Sequence, residues 1–196
     1  MSFSHEKQQF LNKPDKSSAG GIDKAIASLC KKINSMPEYF TTSSCAGRII
    51  LMPETGKKQK NVFLFRTHNS VNIDEIINSL KNNKINAIIY LKLEPCIMHV
   101  ACKNIEKAQQ LVSRARNSGW KKSGIISIKP EKIICELVST EILAAPIADK
   151  SKILVNDNYL KILANEANKK LIQTRQKIKK LEKSFEKRTG LFRKFY

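Results

Sequence analysis

The chain has 196 residues, 41 % hydrophobic and 7 % aromatic, enough to bury one substantial core or two small ones and too apolar for a disordered chain. Lys and Arg number 36 against 17 Asp and Glu, a formal net charge of +19 that favours a polyanion, above all nucleic acid, with an acidic membrane surface as the weaker fit. No apolar run reaches the roughly 18 residues of a membrane span, MSFSHEKQQF lacks the shape of a signal peptide, and five cysteines without a C-x-x-C point to a reducing, cytoplasmic setting rather than a disulfide frame or zinc knuckle.

Residues 1–19 read as a short polar helix and then a loop through Pro14, Asp15, Ser17 and Ser18. The next helix is predicted from about Gly21 to Ser35, where Ile22, Ala25, Ile26, Leu29 and Ile33 keep the i, i+3, i+4 spacing of one buried face. Pro37 in MPEYF removes a backbone donor and ends it. Dense β-branched and hydroxyl residues predict one strand over 40–52, followed by the basic turn PETGKKQKN (53–61) and the strand VFLFRTH (62–68). IDEIINSLK (73–81) reads as a helix, and NAIIYLKLE (86–94) and CIMHVAC (96–102) as strands on either side of Pro95. A helix over 104–117 leads through SGWKKSG into strands at 124–129 and 132–139, with Pro130 at their turn.

The order β-β-α-β then β-α-β-β approximates a duplicated unit of three strands and one helix. It predicts an α+β fold with six mainly antiparallel strands, in a sheet or barrel, and not a doubly wound one. A long helix is predicted from 157 to 187, with Leu160, Ala164, Ala167, Leu171, Thr174, Ile178, Leu181 and Phe185 as a seam in 4-3-4-3 spacing and Gly190 as a cap. The expected division is a catalytic domain over 1–155, a long amphipathic helix over 156–189 packing on it, and a basic-aromatic tail over 190–196, GLFRKFY.

Only seven glycines are present, and neither G-x-G-x-x-G nor G-x-x-x-x-G-K-[ST] occurs, so a dinucleotide or P-loop site is not indicated. No His or Cys spacing suggests a metal. The densest hydrogen-bonding stretch is FTTSSCAGRI (40–49). On one continuous strand Ser43, Cys45 and Gly47 would share a face opposite Thr42, Ser44 and Arg48. Hydroxyls and N–H groups beside a glycine suit a phosphate or carboxylate, an arginine can clamp the same anion, and Gly47 would admit a ligand close to the backbone. An edge strand rich in Ser and Thr would read the same way. In SGWKKSGI (118–125), Trp120 beside Lys121 and Lys122 suits base stacking with phosphate contacts, or else a helix exit with Trp120 as a core anchor. Lys169, Lys170, Arg175, Lys177, Lys179 and Lys180 on the long helix are the remaining candidates for RNA phosphates.

Seven segments, in this order, carry a resemblance: DKSSAGGID (15–23), FTTSSCAGRI (40–49), FLFRTH (63–68), KLEPCIMHVAC (92–102), SGWKKSGI (118–125), LVST (137–140) and ILVNDNYLKILANEANKK (153–170). Together they span about residues 7–175, and the chain resembles the tRNA wybutosine-synthesizing protein 3 family. That resemblance implies an α+β antiparallel fold built from a duplicated unit. It also implies an S-adenosyl-L-methionine-dependent methyltransferase acting on N-4 of the 7-aminocarboxypropyl-demethylwyosine base, 3′ of the anticodon in phenylalanine tRNA. Where the family often carries an aromatic-Arg pair, this chain has Trp120-Lys121-Lys122, and a lysine cannot reproduce a bidentate arginine contact.

Under that resemblance Ser43, Ser44, Cys45, Ala46, Gly47 and Arg48 are expected at a carboxylate of cofactor or substrate. Ser118, Gly119, Ser123, Gly124 and Thr140 are expected to line the pocket. His68 or His99 is the expected base for the acceptor nitrogen, with Glu94 in reserve. Lysines of the long helix and of the 56–60 turn would hold the stem phosphates, in a monomer or homodimer that does not enter a membrane. The alternative is a non-catalytic basic RNA-binding protein, which would bind tRNA without a methyl donor.

Overall fold

The computed structural model describes residues 2–13, 22–54, 63–82, 86–150 and 152–186. The loop expected at Pro14 to Ser18, the helix start at Gly21, most of the 53–61 turn, the Gly190 cap and the LFRKFY tail lie outside them. The described residues form helices α1 (Phe3–Leu11), α2 (Lys24–Asn34), α3 (Ile73–Lys81), α4 (Ile105–Asn117) and α5 (Asp157–Ser184). Their strands are β1 (Tyr39–Cys45), β2 (Arg48–Pro53), β3 (Phe65–Thr67), β4 (Ile88–Glu94), β5 (Ile97–Cys102), β6 (Gly124–Ile128), β7 (Ile133–Val138), β8 (Leu143–Asp149) and β9 (Lys152–Ile153). All strand pairs are antiparallel, in one sheet of order β1-β5-β7-β6 and another of order β3-β2-β4-β8-β9. The fold class is therefore α+β and antiparallel, as expected. None of the described helices is long and apolar enough to cross a membrane.

The chain divides into two compact units. The first holds the residues up to Cys45, Ile97–Ser139 and those from Arg175 on, and the second holds Ala46–Cys96 and Thr140–Thr174. The two repeats read from the sequence sort into the two sheets, except that β1 joins the sheet of β5, β6 and β7.

In the first unit one sheet face is covered by α2 and α4. Ile26, Leu29, Cys30 and Ile33 of α2, and Ala108, Leu111, Val112 and Ala115 of α4, are buried, α2 against β1 and α4 chiefly against β7. Ile22 precedes α2 and is 48 % exposed, and Ala25 is exposed as well, so the expected apolar face begins one turn late. The reason is that the helix starts after Asp23 at its N-cap position. The opposite sheet face is covered at one end by α1, whose Phe3 packs with Phe40, Ala101 and Ile134. The Phe3 and Phe40 rings are tilted, with centroids 5.3 Å apart.

In the second unit Ile49, Leu51, Ile89, Leu91, Leu93 and Ile147 line one sheet face and pack with Ile76 and Leu80 of α3 and with Leu160, Leu163, Ala164, Ala167 and Leu171 of α5. Asn72 and Glu75 form a reciprocal capping box on α3, which is why it starts where the sequence puts it. The Asn168 amide holds Val71, accepting from its N–H at 2.9 Å and donating to its carbonyl at 2.8 Å. The seam of α5 is buried from Leu160 through Leu181, and Thr174 returns its hydroxyl to the Lys170 carbonyl at 3.0 Å.

Two departures shape the site. The single strand expected over 40–52 is two strands, β1 and β2, which belong to different sheets and are separated by Ala46 and Gly47. The strands β8 and β9 were not anticipated, because LAAPIAD joins a proline to three alanines, a poor strand signal. Pro146 is tolerated because the β4–β8 register shifts between Ile89 and Tyr90, placing it beside a bulge.

Candidate functional site

The stretch 40–48 presents its side chains in three directions. Phe40 is buried under α1. Ser44 faces α2, where it accepts from the Cys30 thiol at 3.6 Å, and burial holds that thiol above its usual pKa. Ser43 lies on the other sheet face, exposed, with the hydroxyl of Thr42 donating to the His99 carbonyl at a register shift beside it. Past Cys45 the alternation stops, since Ala46 is buried and Gly47 has φ +85°. A Cβ on Gly47 would lie 3.1 Å from both the Glu94 carbonyl oxygen and the Cys96 nitrogen. The glycine is therefore required by the chain's own 94–96 backbone, not by the approach of a ligand. Arg48 starts a strand of the second sheet, so the expected grouping of Thr42, Ser44 and Arg48 on one face does not form.

In the first unit Ser43 and His99 are register partners across β1 and β5, and His99 and Glu136 across β5 and β7. Ser43 Oγ is 2.7 Å from His99 Nδ1, and His99 Nε2 is 3.0 Å from Glu136 Oε2. A carboxylate oxygen only accepts, so Nε2 carries the hydrogen, and in the neutral imidazole Nδ1 is the acceptor of the Ser43 hydroxyl. His99 and Glu136 keep 29 % and 33 % of their side-chain surface, so the row is open to a solute. Glu136 was not anticipated from the sequence. Its alternation with buried Cys135 and Leu137 tells only that it faces away from the helices, and its partner is fixed by strand register.

In the second unit Arg48 and Glu94 are register partners across β2 and β4, with Nε donating to Oε2 at 2.6 Å. The Arg48 guanidinium lies over the Phe63 ring, 4.8 Å from its centroid, and Arg66 approaches the same ring at 5.8 Å. Lys92, two residues before Glu94 on β4, sits over Tyr90 at 4.9 Å. His68, just past β3, donates from Nδ1 to the Gly47 carbonyl at 3.0 Å, because a carbonyl cannot donate. Its neutral form therefore holds the lone pair on Nε2. Glu94, expected as a reserve base, is instead the ion-pair partner of Arg48. Thr140 Oγ1 donates to Oε1 of the buried Glu141 at 3.0 Å.

The 118–124 turn is mostly structural. Trp120 is fully buried and its Nε1 donates to the Lys177 carbonyl at 3.2 Å, so it anchors the core and offers no face for a base. Ser123, 1 % exposed, donates from Oγ to the Trp120 carbonyl at 2.7 Å and accepts from Val138 N at 3.1 Å, which removes it from any pocket wall. Ser118 is buried at the C-cap of α4, and Gly119 has φ +96° with the Lys177 side chain 3.0 Å from where a Cβ would stand. Gly124 has open space at that position, and Lys121 and Lys122 are exposed.

Beside this turn, α4 and residues 176–184 line a groove of about 1140 Å³. Among the described residues that line it, Arg114, Lys179, Lys180 and Lys183 bring four cations, and the others are Gln, Asn and Ser, with no carboxylate. Arg114 is held in place by the Ser184 carbonyl and by the Phe185 ring, 4.8 Å from the guanidinium carbon. Lys169 lies in the second unit, where its exposed ammonium is 3.6 Å from Glu166, and Lys170 follows it. The six basic residues expected to act together on α5 are thus shared between the units, with Arg175, Lys177, Lys179 and Lys180 in the first.

The family model described as methyltransferase TYW3 matches residues 5–187. A tRNA wybutosine-synthesizing protein 3 homolog of Xenopus laevis is 39 % identical over 181 residues, covering 90 % of this chain and 71 % of its own. A Thermococcus sibiricus protein named tRNA(Phe) 7-((3-amino-3-carboxypropyl)-4-demethylwyosine(37)-N(4))-methyltransferase is 36 % identical over 170 residues, covering 86 % of each chain. Among solved structures, the PH1069 protein of Pyrococcus horikoshii superposes with a TM-score of 0.83 at 34 % identity, covering 93 % of both chains.

Proposed function

Because the chain belongs to the TYW3 methyltransferase family, we propose that it methylates N-4 of 7-(3-amino-3-carboxypropyl)-4-demethylwyosine at position 37 of phenylalanine tRNA, the reaction named for its archaeal relatives. A methyltransferase needs a methyl donor, and S-adenosyl-L-methionine is the donor we assign. The residues present fit it: Arg48 offers a guanidinium to a carboxylate, and the Phe63 ring lies beside it. The donor, when bound, supplies an electrophilic methyl group.

The observation that carries the chemical assignment is the Ser43–His99–Glu136 row. Methylation of an N–H acceptor releases one proton, and this row is built to take it. The acceptor proton passes to Ser43 Oγ as the Ser43 hydroxyl proton passes to His99 Nδ1. His99 is left as an imidazolium beside the Glu136 carboxylate, 3.0 Å from Nε2. His68 also has a base-competent tautomer, its Nδ1 donating to the Gly47 carbonyl, and the choice of His99 rests on the Ser43 hydroxyl at its Nδ1 and the Glu136 carboxylate at its Nε2. His99 is the assigned base and Glu136 its positioning residue. The anticodon stem lies along the α4/α5 groove, where Lys179, Lys180, Lys183 and Arg114 meet phosphates. Five cysteines without a C-x-x-C spacing suit a reducing, cytoplasmic setting.

The test is transfer of label from S-adenosyl-L-methionine to phenylalanine tRNA isolated from a strain stalled just before this methylation. Label in that tRNA, and none in unmodified transcript, is the expected result. Binding of the tRNA without any transfer, with an active donor, would overturn the assignment.

A further inference from the structure

We infer that the Arg48–Glu94 pair is a receptor for a zwitterionic α-amino-acid group, with Arg48 taking the carboxylate and Glu94 the ammonium. This deepens the reading above and rests on it. The pair is a cross-strand neighbour pair, so both backbones are fixed by the β2–β4 ladder, and the Phe63 ring fixes the guanidinium plane from one side. Both side chains remain accessible, at 25 % and 37 % of their surface, and neither is sunk in the core. Their mutual bond uses one of the five N–H donors of the guanidinium and one of the two carboxylate oxygens. Four donors and one oxygen therefore stand outside it, side by side and opposite in charge.

That polarity selects its ligand. A phosphate or simple carboxylate would be drawn to Arg48 but repelled by Glu94, and a simple amine the reverse. A group with both charges on one carbon satisfies both, which is the chemistry of an α-amino acid. Two species in the assigned reaction carry it, the methionine end of the donor and the 3-amino-3-carboxypropyl chain named for the substrate base of the relatives. Glu94 thereby acts in recognition and takes no proton from the acceptor nitrogen.

The experiment measures binding by the full chain in two arms. In the first, calorimetry compares S-adenosyl-L-homocysteine with 5′-deoxy-5′-methylthioadenosine, which lacks the amino acid. In the second, filter binding compares phenylalanine tRNA with and without the aminocarboxypropyl chain. The wild-type protein is expected to prefer the amino-acid-bearing partner in at least one arm. In that arm Arg48→Ala and Glu94→Gln should each cut the preference by about ten- to hundredfold, the range for a charge-assisted hydrogen bond. The double exchange R48E with E94R keeps an ion pair across the strands, so it should melt close to wild type and still lose the preference. Loss in the first arm assigns the donor, and loss in the second the substrate base. If the wild type shows no preference in either arm, or the variants keep it in full, the inference is overturned even where label transfer to tRNA is observed. Absence of transfer would instead strike the functional assignment.

Discussion

The open row of the first sheet and that of the second each bring together residues distant in sequence, and they handle charge in different ways. Across β1, β5 and β7 the row is Ser43, His99 and Glu136, a hydrogen-bonded chain ending on a carboxylate with no cation in it. Across β2 and β4 it is Arg48 and Glu94, with Lys92 two residues along β4 and Arg66 over the same ring as Arg48. A row ending on a carboxylate stabilises a proton as it arrives. A row with guanidinium and carboxylate side by side stabilises charges that are already present. The first is therefore suited to a step of the reaction and the second to holding a ligand through it.

Removing the imidazole should break this contrast most sharply. His99→Ala is expected to lower single-turnover methyl transfer by about 10²- to 10⁴-fold, the usual share of a positioned base, with tRNA affinity within about twofold of wild type. His68→Ala, measured alongside, should cost less, because the assigned proton route runs from Ser43 to His99. Equal losses in the two variants would return the base to an open choice between them.

Glu136→Gln comes next in size. The amide is nearly isosteric, yet its NH₂ can donate to Nε2, which would move the histidine proton to Nδ1 and turn the acceptor of Ser43 into a donor. Transfer should fall by about 10²-fold, less than in a fully buried triad because the row is partly solvated. Glu136→Asp should restore part of the rate. A purely structural Glu136 would show itself as a lowered melting temperature with an unchanged rate.

Much of this was legible in the sequence where the signal is local. The 73–81 helix carries its own capping box, the 104–117 helix its Asn104 cap, and the α5 seam a repeat long enough to fix its buried side. What escaped depends on contacts between distant segments. Strand propensity runs unbroken from Phe40 to Met52, and only Gly47 marks the point where the chain leaves one sheet for the other. A glycine between hydroxyls and an arginine reads as an anion loop, whereas here its φ of +85° and the nearby 94–96 backbone explain it. Trp120 beside two lysines reads as a stacking platform, but a ring that large is stabilised more by full burial than by exposure. Glu136 had no local signal, since only the β5–β7 register places it against His99.

The smallest expected effect separates holding from reacting most cleanly. Lys179 and Lys180 are exposed, line a groove without carboxylates among its described residues, and belong to neither row. Each phosphate contact on a duplex contributes about 0.9 to the slope of log affinity against log salt. Lys179→Ala with Lys180→Ala should therefore flatten that slope for phenylalanine tRNA by about 1.8, if each lysine meets one phosphate. Affinity near physiological salt should fall by only about three- to tenfold, since exposed charge pairs are individually weak. The rate at saturating tRNA should not move, because a contact made equally in ground and transition state changes KM and leaves kcat alone. A fall in kcat with an unchanged salt slope would mean that the groove orders the reacting base and does not grip the stem, and the division of labour drawn from the two sheets would then have to include it.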